Sequence, residues 1–261
     1  MRERLVVSVS GKGGVGKTTI ASLLVRTIID NTSCSLLVVD ADPVLNLPRT
    51  LGINVHMTVG QIASNLRKKI DEGSLPVAVT KQDILEGDIF EAIVEGDTFD
   101  FLAMGRSEGE GCYCYVNRLL THILDTLTKN YDITLLDMSA GLEHFSRRTD
   151  RNVDFLVIVI DPSKMAFEAA VRIMELAKEV HIDFKKVGVI ANRFPLEMET
   201  DLRDRLAEKE LTLWGMIPND EEVAKINYNG QPLLKISTES KAAQAIGKVA
   251  EHLGLLSEKT L

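Results

Sequence analysis

The 261-residue sequence contains no apolar stretch near the roughly 20 residues that a helix needs to cross a bilayer, so no membrane span is expected. A basic excess is also missing. Thirty Lys and Arg stand against 38 Asp and Glu, and a formal charge of -8 repels phosphodiester backbones and anionic lipid. Neither nucleic acid nor membrane is an expected partner. Cysteine is scarce: the three present cannot all pair internally, and in a reducing compartment neighbouring thiols more often bind metal or do redox chemistry than form bridges. No secretory signal precedes the strand-like run Leu5 to Val9, which points to the cytoplasm. The absence of internal repeats and of a Pro/Ser-rich linker argues for one domain over residues 1–261, whose 45% hydrophobic content is enough for a full core.

What is present is an alternation. Short Val/Ile/Leu runs bounded by turn residues predict strands at Leu5–Val9, Ser35–Val39, Phe99–Met104, Ile133–Leu136, Phe155–Ile160, Lys186–Ala191 and Thr212–Ile217. Helical periodicity predicts helices at Lys17–Ile29, Val59–Lys69, Asn117–Asn130, Lys164–Val180, Asp201–Lys209 and Lys241–Leu253. The implied fold class is α/β, a three-layer α/β/α fold with a mostly parallel central sheet. Residues 70–95 show no clear period and are expected to be irregular or peripheral.

Gly11-Lys12-Gly13-Gly14-Val15-Gly16-Lys17-Thr18 fits G-x-x-x-x-G-K-[ST] and sits between an apolar strand and an amphipathic helix, where that motif belongs. Its glycines let successive backbone N–H groups turn inward as an anion nest, and the helix N-terminus adds partial positive charge. Lys17 would bridge β- and γ-phosphate oxygens, and the Thr18 hydroxyl would ligate Mg²⁺. Lys12 has no role in the ordinary motif. With it, the run Lys12 to Thr19 resembles the deviant Walker A motif of the SIMIBI-class ATPases, which include the MinD and ParA proteins. That resemblance implies a nucleotide-sandwich dimer in which Lys12 acts in trans on the partner's phosphates, alongside Gly13, Gly14, Val15, Gly16, Lys17, Thr18 and Thr19 as nucleotide-binding residues.

Carboxylates complete the pattern. Asp40 and Asp42, spaced i, i+2 at the end of a buried strand, are placed to face a nucleotide together. By similarity to the class, Asp42 orients or deprotonates the attacking water, and Asp40 supports Mg²⁺ and its waters. Leu135-Leu136-Asp137-Met138-Ser139-Ala140-Gly141 reads as Walker B running into switch II, with Asp137 holding a Mg²⁺-bound water and Gly141 approaching the γ-phosphate. Asn192-Arg193 and Ile217-Pro218-Asn219-Asp220 fall where relatives contact adenine, so Asn192, Arg193, Pro218 and Asp220 are candidate base contacts. No Asn-Lys-x-Asp guanine motif occurs, which favours ATP/ADP over GTP.

Cys112 and Cys114 flank Tyr113 on a glycine-led loop. A Cys-x-Cys pair makes a strained disulfide, whereas in an extended segment both sulfurs project to one side. Two thiolates are half of a four-sulfur site, which a two-fold axis would complete as one metal site per dimer. Cys34, alone before a strand, reads as a small buried hydrophobe. The deviant P-loop, the Cys-x-Cys loop and the run Asp137 to Arg148 together resemble the CooC-type accessory ATPases over nearly the whole chain. The resemblance implies an ATPase that forms a nucleotide- and metal-dependent homodimer and holds one Ni²⁺ or Zn²⁺ between two Cys-x-Cys pairs. Its implied client is carbon monoxide dehydrogenase or the related acetyl-CoA synthase. Met138 and Phe145 would bear on client choice, and His144 is an optional extra ligand. The rivals are an electron-transfer protein like the nitrogenase iron protein and a positioning ATPase of the MinD/ParA type.

Overall fold

A computed structural model describes residues 4–74, 80–106, 126–139, 153–179 and 184–256. Its centre is β1 (Leu5–Gly11), an apolar run buried along nearly its whole length and hydrogen-bonded in parallel to two other strands. Around it lie β2 (Leu36–Asp40), β3 (Asp100–Ala103), β4 (Ile133–Asp137), β5 (Phe155–Ile160), β6 (Lys186–Asn192) and β7 (Leu213–Ile217). The order across the sheet is β3-β2-β4-β1-β5-β6-β7, and every pairing is parallel. Each predicted strand is matched within about two residues at either end. Continuous apolar runs are what a sheet covered on both faces demands.

The helices are α1 (Lys17–Asn31), α2 (Leu47–Leu51), α3 (Val59–Asp71), α4 (Lys81–Ala92), α5 (Lys164–Glu179), α6 (Glu199–Ala207), α7 (Glu221–Tyr228) and α8 (Lys241–His252). Single 3₁₀ turns lie at Leu196–Met198 and Leu233–Lys235. Along β2 the alternation of side chains separates the two faces. On β2, Leu36 and Val38 join the large cluster with the apolar residues of α1 and α8, while Leu37 and Val39 join Ile62 and Leu66 of α3 and Leu85 and Ile89 of α4. The large cluster also takes the consecutive residues Leu156 to Ile160 of β5 and Ala166, Ala170 and Ile173 of α5, so apolar side chains are covered on both faces of the sheet and the three-layer α/β/α expectation holds.

Residues 70–95 depart from the sequence reading, because the 12-residue helix α4 lies within that stretch. Thr80 and Asp83 form a reciprocal capping box at its start, and Leu85, Ile89 and Ala92 bury one side. Gly87 and the charges around it mask that period in the sequence. The expected helix at Asn117–Asn130 falls largely outside the described residues, as do Cys112, Cys114, Gly141, His144 and Phe145. Among the described residues no helix is long and apolar enough to cross a membrane.

Candidate nucleotide site

Parallel strands all end on one rim of the sheet, and the site is built from several of those ends. β1 ends on Gly11, with φ at 145°, where a Cβ would run into the Val159 carbonyl of β5. The chain leaves the sheet there, and Gly16, with φ at 97°, turns it into α1. Val15 is buried in the large core cluster and anchors the loop between them. Among the described residues no backbone carbonyl accepts from the N–H groups of residues 13 to 18, which leaves them for an anion.

The Lys17 ammonium donates to the Lys12 carbonyl at 3.3 Å and is otherwise buried. Burial lowers its pKa, against the raising pull of Asp137 and Asp42. A desolvated ammonium at a nest of N–H groups is suited to bind phosphate. Thr18 Oγ1 donates to Asp137 Oδ2 at 2.7 Å, joining the start of α1 to the end of β4. Burial pushes Asp137 up to about 7, helped by Asp40 and Asp42 and opposed by Thr18 and Lys17. Its second oxygen, Oδ1, is buried without a hydrogen-bond partner among the described residues. An orphaned carboxylate oxygen next to a hydroxyl is the hard-oxygen donor set that Mg²⁺ takes together with phosphate oxygens and water. The residues therefore fit that ion.

Asp40 and Asp42 are brought to the same rim but used differently. Asp40 is fully buried, and its oxygens accept from the Asp42 N–H at 2.9 Å and the Leu47 N–H at 3.1 Å. Burial raises it to about 6. Asp40 thus shapes the turn that presents Asp42. The Asp42 carboxylate accepts from the Val44 N–H at 2.9 Å and lines the cleft over the loop. A hydroxyl relay ties this turn to α1. The Ser22 and Thr50 hydroxyls lie 2.8 Å apart, and one donates to the other: with Ser22 as donor Thr50 donates to the Leu47 carbonyl, and with Thr50 as donor Ser22 donates to the Thr18 carbonyl.

The candidate base contacts are placed on the loop or its scaffold. Asn192 Nδ2 donates to the Val15 carbonyl at 2.8 Å, and an Arg193 guanidinium nitrogen donates to the Gly14 carbonyl at 2.9 Å. Arg193 also lies 3.6 Å from Asp161. Burial works to raise the Asp161 pKa, but Ser163, Arg193 and Lys12 together hold it below the usual carboxylate value. Lys12, half-buried, is thereby located beside this cluster. Asp220 caps two helices at once. One oxygen accepts from the Glu222 and Val223 N–H groups at the start of α7, and the other accepts from the Ser240 hydroxyl and the Ala242 N–H at the start of α8. That commits the carboxylate to scaffolding.

A cleft of about 910 Å³ opens over Gly13, Gly14, Gly16, Lys17, Thr18, Thr19 and Asp42. Asn192, Arg193, Pro218 and Asp220 are not among its lining residues. Its far wall instead holds Asn46, Arg49, Asn54, Asn227 and Gln231, which the sequence reading missed. Arg49 lies in α2 and Asn227 in α7, the others lie beside those helices, and no motif spans them.

The geometry agrees with likenesses of three kinds, to a family, to relatives and to a solved structure. Residues 6–233 match the model of the CobQ/CobB/MinD/ParA nucleotide binding domain family. The chain is 42% identical over 249 residues to an uncharacterized ATP-binding protein of Methanocaldococcus jannaschii, covering 95% of this chain and 98% of that one. It is 30% identical over 263 residues to the carbon monoxide dehydrogenase accessory protein CooC of Rhodospirillum rubrum, covering 95% and 97%. In fold it resembles a ParA family ATPase from Chlorobium tepidum, with a TM-score of 0.73 at 19% identity over 97% of this chain and 100% of the other. The loop, the carboxylates and these likenesses together place the chain in the CobQ/CobB/MinD/ParA nucleotide-binding domain family, as a MinD/ParA-like P-loop ATPase domain.

Proposed function

We propose that this protein is an ATP-hydrolysing metallochaperone that assists nickel insertion into the active-site cluster of carbon monoxide dehydrogenase or the related acetyl-CoA synthase. The observation that carries the ATPase half is the convergence of Lys17, Thr18, Asp42 and Asp137 on one rim of the sheet. The client half is supported by the likeness to CooC together with the Cys112-Tyr113-Cys114 run.

In this reading Gly13 to Thr19 hold the triphosphate, and Lys17 neutralises charge on its β- and γ-groups. Mg²⁺, when bound at Thr18 and Asp137 with Asp40 behind them, supplies charge neutralisation of the phosphates. Asp42, open to the cleft, orients or deprotonates the attacking water. Two protomers close over paired nucleotides, with Lys12 of each offered to the phosphates of the other. Closure brings two Cys112/Cys114 pairs together to hold one Ni²⁺ or Zn²⁺ as cargo, and hydrolysis releases it to the client.

Size-exclusion chromatography with metal analysis, with and without ATP and Ni²⁺, tests the reading. The expected result is a dimer carrying one nickel, and a Cys112→Ser/Cys114→Ser protein without it. A protein that stayed monomeric and metal-free under all conditions would overturn it. So would a double variant that still bound one nickel per dimer.

A further inference from the structure

We propose that Asn192 and Arg193 are positioning residues that hold two peptide planes of the phosphate loop with their N–H groups turned toward the anion. The inference rests on the reading of this loop as a phosphate site, and it gives both side chains a task other than touching the base.

In a trans peptide the C=O of one residue and the N–H of the next point in opposite directions. The Gly14 carbonyl is fixed by Arg193 at 2.9 Å, so the Val15 N–H faces away from Arg193. The Val15 carbonyl is fixed by Asn192 at 2.8 Å, so the Gly16 N–H faces away from Asn192. Among the described residues neither N–H donates to a backbone carbonyl. Two consecutive donors are thus turned out of the loop's own hydrogen bonding and left for a ligand.

The loop needs such a hold. Rotating the 14–15 plane changes ψ of Gly14, and rotating the 15–16 plane changes φ of Gly16. Both are glycines in left-handed conformations, at 85° and 97°, where neighbouring conformers lie close in energy. The glycines that let the nest form also let its peptides turn over. Clamping the two carbonyls from outside removes that freedom before the ligand arrives.

The clamp itself is rigid. Asn192 is the last residue of β6, buried, and a Cβ on Gly16 would overlap its amide. Arg193 sits at a φ of 61° with its N–H bonded to the Ile217 carbonyl at the end of β7. Its guanidinium faces Asp161 after β5, which accepts from the Ser163 hydroxyl at 2.6 Å. Three strand ends therefore converge on two carbonyls.

Tripolyphosphate separates this role from base recognition, because it carries the phosphates and no base. The binding of tripolyphosphate and of ATP, each with Mg²⁺, is measured by calorimetry on the full chain and on Asn192→Ala, Arg193→Met and Arg193→Lys. Asn192→Ala and Arg193→Met are expected to weaken both ligands by the same factor, between about threefold and about thirtyfold. Arg193→Lys, which keeps one donor, stays within about threefold of the parent and shows that the loss does not come from unfolding. Loss of ATP binding with tripolyphosphate unchanged would overturn the proposal in favour of a base contact. No change in either ligand would also overturn it. If the unsubstituted protein bound neither ligand, the phosphate-site reading would fall first and this proposal with it.

Discussion

Replacing Asp220 with Ala removes one carboxylate from the N-termini of two helices. Four hydrogen bonds go with it, at 2.8 and 3.3 Å from α7 and at 2.7 and 3.0 Å from the α8 side. Loss of a single N-cap costs about 0.5–2 kcal/mol. Two caps on one side chain bring the expected loss to about 3 kcal/mol, since Ser240 still caps α8 through the Ala243 N–H. For a chain of this length that lowers Tm by roughly 6–12 °C. Differential scanning fluorimetry reads the shift, with Asp201→Ala as control. Asp201 makes only an exposed pair with Arg205 at 3.9 Å, and its loss should move Tm little.

The pH dependence of Asp220 gives a second check. Burial raises its pKa, but the bonds from Ala242, Ser240, Val223 and Glu222 outweigh burial and leave it below the ordinary carboxylate value. A depressed folded pKa stabilises above the unfolded pKa of about 3.9 and loses that contribution as pH falls through the folded value. The Tm gap between parent and Asp220→Ala should be full at neutral pH, start to narrow at about pH 4 and close only below the folded value. An unchanged Tm at pH 7, or a gap that does not narrow as pH falls below about 4, refutes the double-cap account.

Asp137→Asn should shrink the gain in ATP affinity on adding Mg²⁺ by about tenfold, while affinity in EDTA holds or rises as a negative charge leaves the phosphate site. An unaltered Mg²⁺ gain, measured by calorimetry, counts against Asp137 as part of the ion's site. Gly188→Ala should cost about 1–3 kcal/mol, because its Cβ lands on the Trp214 indole where β7 bulges against β6. Trp214 is the sole tryptophan, so its emission should shift with the loss in urea midpoint, and unchanged emission rejects that packing.

Strands and phosphate loop were legible because each is contiguous. A strand buried on both faces writes its apolar run without interruption, as Phe155–Ile160 does, and the loop carries all its fixed positions within eight residues. α4 was obscured by Gly87 and by acidic residues on its exposed side, although Thr80 and Asp83 spelled a capping box. Asp220 before Glu221 and Glu222 likewise had the composition of a helix start, and the expectation of a base contact displaced that simpler reading. The far wall of the cleft had no comparable signal. Asn54 and Gln231 line one cleft because α2 packs against the 3₁₀ turn Leu233–Lys235, a long-range fact that local pattern does not encode.

The Ser22–Thr50 hydroxyl contact, with the Leu47 N–H bonded to Asp40, joins the phosphate helix and the turn bearing Asp42 into one mechanical body. Such a body transmits displacement rather than absorbing it. Under the proposed function, a phosphate that pulls on Thr18 would pull on Asp42 as well, so the carboxylate assigned to the attacking water would keep its distance from the triphosphate if the protomer shifted against a partner. Alignment for hydrolysis would then be set within each chain, and a second chain would add charge, through Lys12, rather than geometry.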